Sequence, residues 1–219
     1  DGVFDIRDYL NDPRVSDANG NGQIDPEDLI FIWSDGTDAD GNGYVDDIAG
    51  WDFFQGDNDP LDEVTYGHGT GEAEDSTAEA NNGGGVGVCP SCMFIPLRIG
   101  DSFIVDVNHW AEAVVYAVDN NVSVVQEAAG SLNHTRFAQE AVDYAYKRGV
   151  PIIASAADEA SEHHNYPSNL ERTIVVNSVT KYTEEGALVM SPHSYLYLNG
   201  CTNYGAHIAV AVPSSSCSS

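Results

Sequence analysis

From Trp51 onward the chain alternates short, mainly apolar runs with stretches in which apolar residues recur every three or four positions. The runs at 86–88, 93–99, 122–128, 151–157 and 173–179 read as strands. The stretch 105–120 places Val107, Trp110, Ala111, Val114, Val115 and Val118 on one side of a helix. A second helix is predicted over 135–148, ended by Gly149. Apolar strands separated by helices imply an α/β fold in three layers, a mostly parallel sheet with helices on both faces. Open parallel sheets carry their chemistry at the carboxyl ends of the strands. That rule singles out Ala128, Ala129, Gly130 and Ser131 after one strand, and Ala157, Asp158 and Glu159 after the next.

Before Trp51 the pattern is different, because polar oxygen-bearing residues recur at fixed offsets around glycines. Residues 17–28 set Asp17, Asn19, Asn21, Asp25 and Asp28 at positions one, three, five, nine and twelve of an EF-hand frame, with Gly22 at position six. The glycine allows the sharp turn that brings in a backbone carbonyl, that of Gln23. The frame recurs with Asp38, Asp40, Asn42, Gly43, the Tyr44 carbonyl and Asp46 or Asp47, with Asp47 the preferred closing ligand. Residues 1–8 fit the second half of a third copy, and Gly2, Gly22 and Gly43 are 20 and 21 positions apart. Ca2+, a hard cation that takes six to eight oxygens, is the expected cofactor. The chain thus divides into a calcium-loop insertion at 1–50 and an α/β body at 51–219, long enough for one well-buried core.

Charge supports that division. The formal net charge is −27, and residues 1–80 carry 22 of the 35 acidic residues against only Arg7 and Arg14. A surface so acidic repels nucleic acid and anionic membranes, and no run reaches the length of a membrane span, so neither partner is expected. Four cysteines, Cys89, Cys92, Cys201 and Cys217, are compatible with two disulfides in an oxidising, secreted or extracellular setting. Cys201 can pair with Cys217, and Cys89-Pro-Ser-Cys92 can close on itself. Zinc and redox roles rank behind, because no second Cys-x-x-Cys accompanies it.

Tyr66-Gly67-His68-Gly69-Thr70 resembles the histidine motif of the subtilisin-like serine peptidases. The surrounding order extends the resemblance. The calcium-loop segment 38–53 precedes it, and Asn81-Asn82-Gly83, Val86-Gly87-Val88-Cys89-Pro90 and Ile95-Pro96-Leu97-Arg98-Ile99 follow it. Residues 124–131 stand at the place of the strand that pairs with bound peptide, 150–159 at the oxyanion strand, and 202–213 lead toward the nucleophile loop. The resemblance therefore implies a subtilisin-like fold over roughly 38–213. It also implies a peptidase working through an acyl-enzyme, with His68 as base and then acid, Ala128, Ala129 and Gly130 holding the substrate strand, and Asp158 at the oxyanion position. A protein or peptide substrate is the implied partner, with segments of the chain's own precursor as a further one.

Three departures qualify what the resemblance implies. The orienting Asp and the nucleophilic Ser of the family have no counterpart here; they are expected before residue 1 and beyond Ser219, because Ser214 to Ser219 form no Gly-Thr-Ser. The helix after the histidine reads Gly71-Glu72-Ala73-Glu74-Asp75, charged where the family packs apolar residues. The family's Gly-Asn at the oxyanion becomes Ala157-Asp158, and an ionised carboxylate accepts hydrogen bonds where an amide donates one. The alternatives are an inactive subtilisin-like binding module and a docking module acting through the calcium loops.

Overall fold

The structure, a computed structural model, describes residues 9–62, 64–81, 83–162, 165–180 and 197–214. The third calcium-loop copy at 1–8, Cys217 and the serines after Ser214 lie outside the described residues. The chain packs as two units that meet in sequence between Asp101 and Ser102.

The first unit holds α1 (Pro26–Trp33), β1 (Trp51–Asp52), α2 (His68–Thr77) and β2 (Leu97–Arg98). Helix α1 begins where residues 17–28 end. Asp25 caps it by accepting from the amides of Glu27 and Asp28, and the Asp28 carboxylate returns a bond from the Asp25 amide, with Pro26 in the first turn. Strands β1 and β2 pair in parallel, Trp51 opposite Leu97. The expected strand 93–99 shrinks to two residues because Pro96 withholds an amide from the ladder. The expected strand 86–88 does not form. Instead Gly87, Val88 and Cys89 donate their amides to Ala78, Asp75 and Ser76 at 2.9, 3.0 and 2.8 Å, covering carbonyls that the end of α2 leaves open. A Cβ on Gly87 would fall 2.4 Å from the Ala78 nitrogen, so the segment lies flush on the helix end. Cys89 and Cys92 form a disulfide just beyond it.

Gly50 is fixed by close approach, since at φ 108° its missing Cβ would meet the Pro96 carbonyl oxygen at 2.0 Å. Next to it, Asp52 is fully buried and accepts from the amides of Phe54 and Gln55 at 2.7 and 2.8 Å. Its other oxygen takes the Arg98 guanidinium, which also reaches Asp101. Burial alone would favour loss of the Arg98 proton; the two carboxylates outweigh it and raise the pKa above its ordinary value. Asp52→Asn leaves a buried cation facing an amide. We expect a loss of about 3 kcal/mol in urea unfolding, with Asp101→Asn, at the exposed partner, costing under about 1 kcal/mol.

The second unit contains α3 (Val107–Asp119), β3 (Val125–Glu127), α4 (Arg136–Arg148), β4 (Ile152–Ser155), β5 (Ile174–Thr180), β6 (Tyr197–Leu198) and β7 (Ile208–Pro213). Both helices sit where the periodicity placed them. Asp106 and Thr135 cap their starts, and Gly149, at φ 78°, ends α4. Strands β3, β4, β5 and β7 run parallel and β6 pairs antiparallel with β5, a mixed and mainly parallel α/β sheet. Helix α3 is buried almost all round, with Tyr116 and Ala117 inside as well as Val114 and Val118, while Val115 is only half-buried. Ala138, Ala141 and Ala145 give α4 a small-residue face, which lets α3 and α4 pack together. Among the described residues no helix is long and apolar enough to cross a membrane.

Candidate active site

His68 is the first residue of α2, and the residue before it, Gly67, takes a left-handed conformation at φ 61°. The imidazole stacks on Tyr66 with ring centres 5.6 Å apart and stays 24 % exposed. Glu72, one turn on, holds an oxygen 3.7 Å from Nε2, too far for a hydrogen bond. Thr70 donates to Asp62 at 2.9 Å and pins the first turn. The charged stretch 71–75 meets no buried surface, because α2 has no buried residue; Glu72 is 41 % exposed. The charge that departs from the family pattern is therefore solvated.

In the second unit β3 and β4 run side by side with Glu127 opposite Ala154, so Ala128 to Gly130 and Ala157-Asp158 emerge at the same carboxyl end of the sheet. Regular pairing of β3 stops at Glu127, short of the expected residue 128. Beyond it, Ala129 donates to the Glu127 carboxylate at 2.9 Å. Gly130 exchanges bonds with the preceding segment, its amide donating to Phe103 at 2.6 Å and its carbonyl accepting from Val105 at 2.8 Å. The Ser131 amide donates to the Tyr166 carbonyl at 2.6 Å.

Beyond β4 the chain turns sharply. Ala157 and Ala160 have φ values of 67° and 52°, the left-handed region that costs an L-residue roughly 1–2 kcal/mol. Asp158, between them, is exposed. The turn is held by residues 201–204. Asn203, 1 % exposed, accepts from the amides of Glu159 and Ser161 at 3.1 and 3.2 Å and donates through Nδ2 to the Glu159 carboxylate. The sequence places Asn203 in the segment 202–213 that leads toward the nucleophile loop and gives it no part in the site. A buried amide reveals its role only through its partners. Ala157→Gly and Ala160→Gly remove the left-handed penalty while loosening the unfolded chain, and each should raise stability by about 0.5–1 kcal/mol in urea unfolding. A loss of stability would mean that the methyl groups pack.

The two acidic loops share one backbone. Asp17 accepts from Gly20 and Gly22 at 2.7 and 2.9 Å, and Asp38 from Gly41 and Gly43 at 2.7 and 2.8 Å. Gly22 and Gly43 have φ values of 89° and 96°. The asparagines repeat this pattern, since Asn21 Oδ1 accepts from Gln23 and Asn42 Oδ1 from Tyr44, both at 2.8 Å. Asn19 accepts from Asn21 at 3.0 Å, and Asn42 donates to Asp40 and Asp47 at 3.1 and 2.9 Å. Asp28, fully buried, accepts from Ala18, Asn19 and Asp25. The amide of Asp25 above all holds its carboxyl below the usual carboxylate range against the opposing effect of burial; the Gly43 amide does the same for Asp38. Stability from these lowered values is present above the ordinary carboxylate pKa and is lost as pH falls through the folded one. The donor chemistry and the turns fit a hard cation. The carboxylates are nevertheless spent on backbone amides, and among the described residues no three His, Cys, Asp or Glu side chains converge as a metal site.

Comparisons with known proteins bear on the family and the fold. The model of the subtilase family, Peptidase_S8, matches residues 10–216. The chain belongs to the subtilase family. The subtilase chain is 30 % identical over 190 residues to a thermophilic serine proteinase of Bacillus sp. (strain AK1), covering 84 % of this chain and 42 % of that protein. It is 27 % identical over 172 residues to thermitase of Thermoactinomyces vulgaris, covering 77 % and 56 %. It thus spans about half the length of these relatives. The protease domain of PatA, solved as a point mutant, superposes with a TM-score of 0.57 at 15 % identity over 71 % of this chain and 55 % of that one, a likeness of fold. The family match spans both packed units.

Proposed function

We propose that this subtilase chain is the histidine and oxyanion portion of a serine endopeptidase that cleaves peptide bonds through an acyl-enzyme. The family match over residues 10–216, with His68 heading α2 inside it, carries the reading. In the parent protein a serine hydroxyl attacks the peptide carbonyl while His68 takes its proton. His68 then returns that proton to the departing amine, and water releases the acyl group by the same route in reverse. Since the chain spans about half of its relatives, the serine and the orienting carboxylate are assigned to the parent protein. Ala128, Ala129 and Gly130 would hold an extended peptide, which must then displace the bonds of Gly130 to Phe103 and Val105, and Asp158 would stand beside the developing oxyanion.

Calcium belongs to the same proposal. Asp17, Asn19, Asn21, Asp28 and the Gln23 carbonyl would hold one ion. Asp38, Asp40, Asn42, Asp47 and the Tyr44 carbonyl would hold a second. The ions would neutralise clustered carboxylates and tie the loops of residues 1–50 to α1. At one hundred times the dissociation constant, calcium should stabilise the parent protein by about 2.7 kcal/mol per independent site, read by thermal unfolding with and without chelator. Asp17→Asn with Asp38→Asn should abolish most of that gain. The Cys89–Cys92 disulfide supports a secreted or extracellular setting.

A fluorophosphonate probe applied to the intact parent protein tests the activity. Labelling of one serine, lost in His68→Ala, is expected. A folded, calcium-loaded parent that takes no label would reduce the chain to a subtilisin-shaped binding module.

A further inference from the structure

We infer that Asn203 is a positioning residue that fixes the Asp158 turn, and so sets how much the oxyanion group contributes to turnover. The inference rests on the peptidase reading for its kinetic consequence, though its geometric content stands alone. Residues 157–161 follow β4 without regular structure, and two alanines within them occupy left-handed conformations. A turn so disfavoured locally persists only if its surroundings over-determine it. The segment 201–204 supplies that constraint.

Asn203 makes most of the bonds. Its own amide donates to the Ala157 carbonyl at 2.8 Å, and its Oδ1 accepts from Glu159 and Ser161 on the far side of Asp158. Its Nδ2 donates to the Glu159 carboxylate, whose second oxygen accepts from Asn165 at 2.8 Å. The neighbours of Asn203 add two more ties, Ala160 donating to the Cys201 carbonyl at 2.7 Å and Tyr204 to the Ser161 carbonyl at 3.1 Å. Asn203 is itself anchored from the sheet, because Asn177 on β5 donates to its carbonyl at 3.3 Å. Asn203 thus reaches both sides of Asp158, its backbone amide to Ala157 before it and its side chain to Glu159 and Ser161 after it, and the chain of bonds runs from β5 through Asn203 to the turn. Only asparagine or glutamine offers an acceptor for two amides and a donor for a carboxylate on one planar group, and glutamine is one methylene too long for this spacing.

The test is a double-mutant cycle in the parent protein. Asp158→Asn should raise kcat by about 10²-fold, the value of a well-aimed oxyanion donor. In the Asn203→Ala background the same change should gain less than about 10-fold, with KM within about twofold, because a donor displaced by an ångström forfeits most of its effect. Adding Ala157→Gly and Ala160→Gly to Asn203→Ala should not restore the gain, since glycine frees the turn without aiming it. An undiminished gain in the Asn203→Ala background would overturn the inference. Amide exchange supplies a readout independent of turnover: Asn203→Ala should speed exchange at Glu159 and Ser161 by about 10²-fold while β4 amides keep theirs. Unchanged exchange at both would overturn the inference even in an active enzyme. Absence of turnover in every variant, with exchange accelerated as stated, would sink the peptidase reading and leave the positioning role standing. Glu159→Ala, at an exposed position, should give a smaller acceleration at Ser161 and serves if Asn203→Ala does not fold.

Discussion

In the parent protein, Asp158→Asn is expected to raise kcat by about 10²-fold at neutral pH and to leave KM within a factor of about three. The reason is the direction of a hydrogen bond. As the serine adds to the peptide carbonyl, negative charge builds on the carbonyl oxygen, and a group that donates to it lowers the barrier by several kcal/mol in a site closed to water. Asparagine donates through its amide; an ionised aspartate has only acceptors and repels the oxygen as its charge grows. The substitution changes no volume, Asp158 is exposed on a turn held by its neighbours, and urea unfolding of the variant checks that the turn keeps its stability. Steady-state kinetics on a chromogenic peptide at neutral pH would show the gain. A fall in kcat on substitution would mean that Asp158 has a positive task that the amide does not perform.

Removing the base should have the opposite and larger effect. His68→Ala is expected to lower kcat by about 10⁶-fold with KM nearly unchanged, the size seen when one member of a cooperating triad is lost. The proton of the attacking hydroxyl then has no acceptor within the site, and the later protonation of the leaving amine fails for the same reason. His68 heads a helix with no buried residue but its ring stacks on Tyr66, so denaturant unfolding is measured beside the kinetics and kcat is taken per folded molecule. That makes kinetics a clean measure of chemistry. A drop of less than about tenfold would show that another residue is the base and would remove the main functional role assigned to α2.

The two predictions act on different packed units, His68 in the first and Asp158 in the second. Stability effects are separate from both. The Asp52 and Arg98 pair joins β1 to β2, in which the two residues are register partners, and its loss should lower unfolding free energy without changing kcat per folded molecule.

Much of this protein is legible from residue order because the relevant forces are local. The helices Val107–Asp119 and Arg136–Arg148 were marked by apolar period and by their caps, Asp106, Thr135 and Gly149. The acidic frames at 17–28 and 38–47 were readable because a turn around Gly22 or Gly43 is set within six residues, and the two loops do share their backbone bonds. The family resemblance was carried by short motifs in fixed order, His68-Gly69-Thr70 foremost. Tertiary structure decided what depends on partners distant in sequence. It replaced the strand expected at 86–88 with a segment, Gly87 to Cys89, that covers the end of α2, since so short a run cannot declare whether a ladder or a helix end will take its amides. It set the charges after His68 in solvent and buried those of Asp52 and Arg98, whose apolar flanks point to burial but cannot say that the two charges, 46 positions apart, pair with each other. It also joined Asn203 to Glu159 across 44 positions, a contact that no local period encodes, because the bonds that hold a strained turn come from wherever the fold brings a matching donor and acceptor.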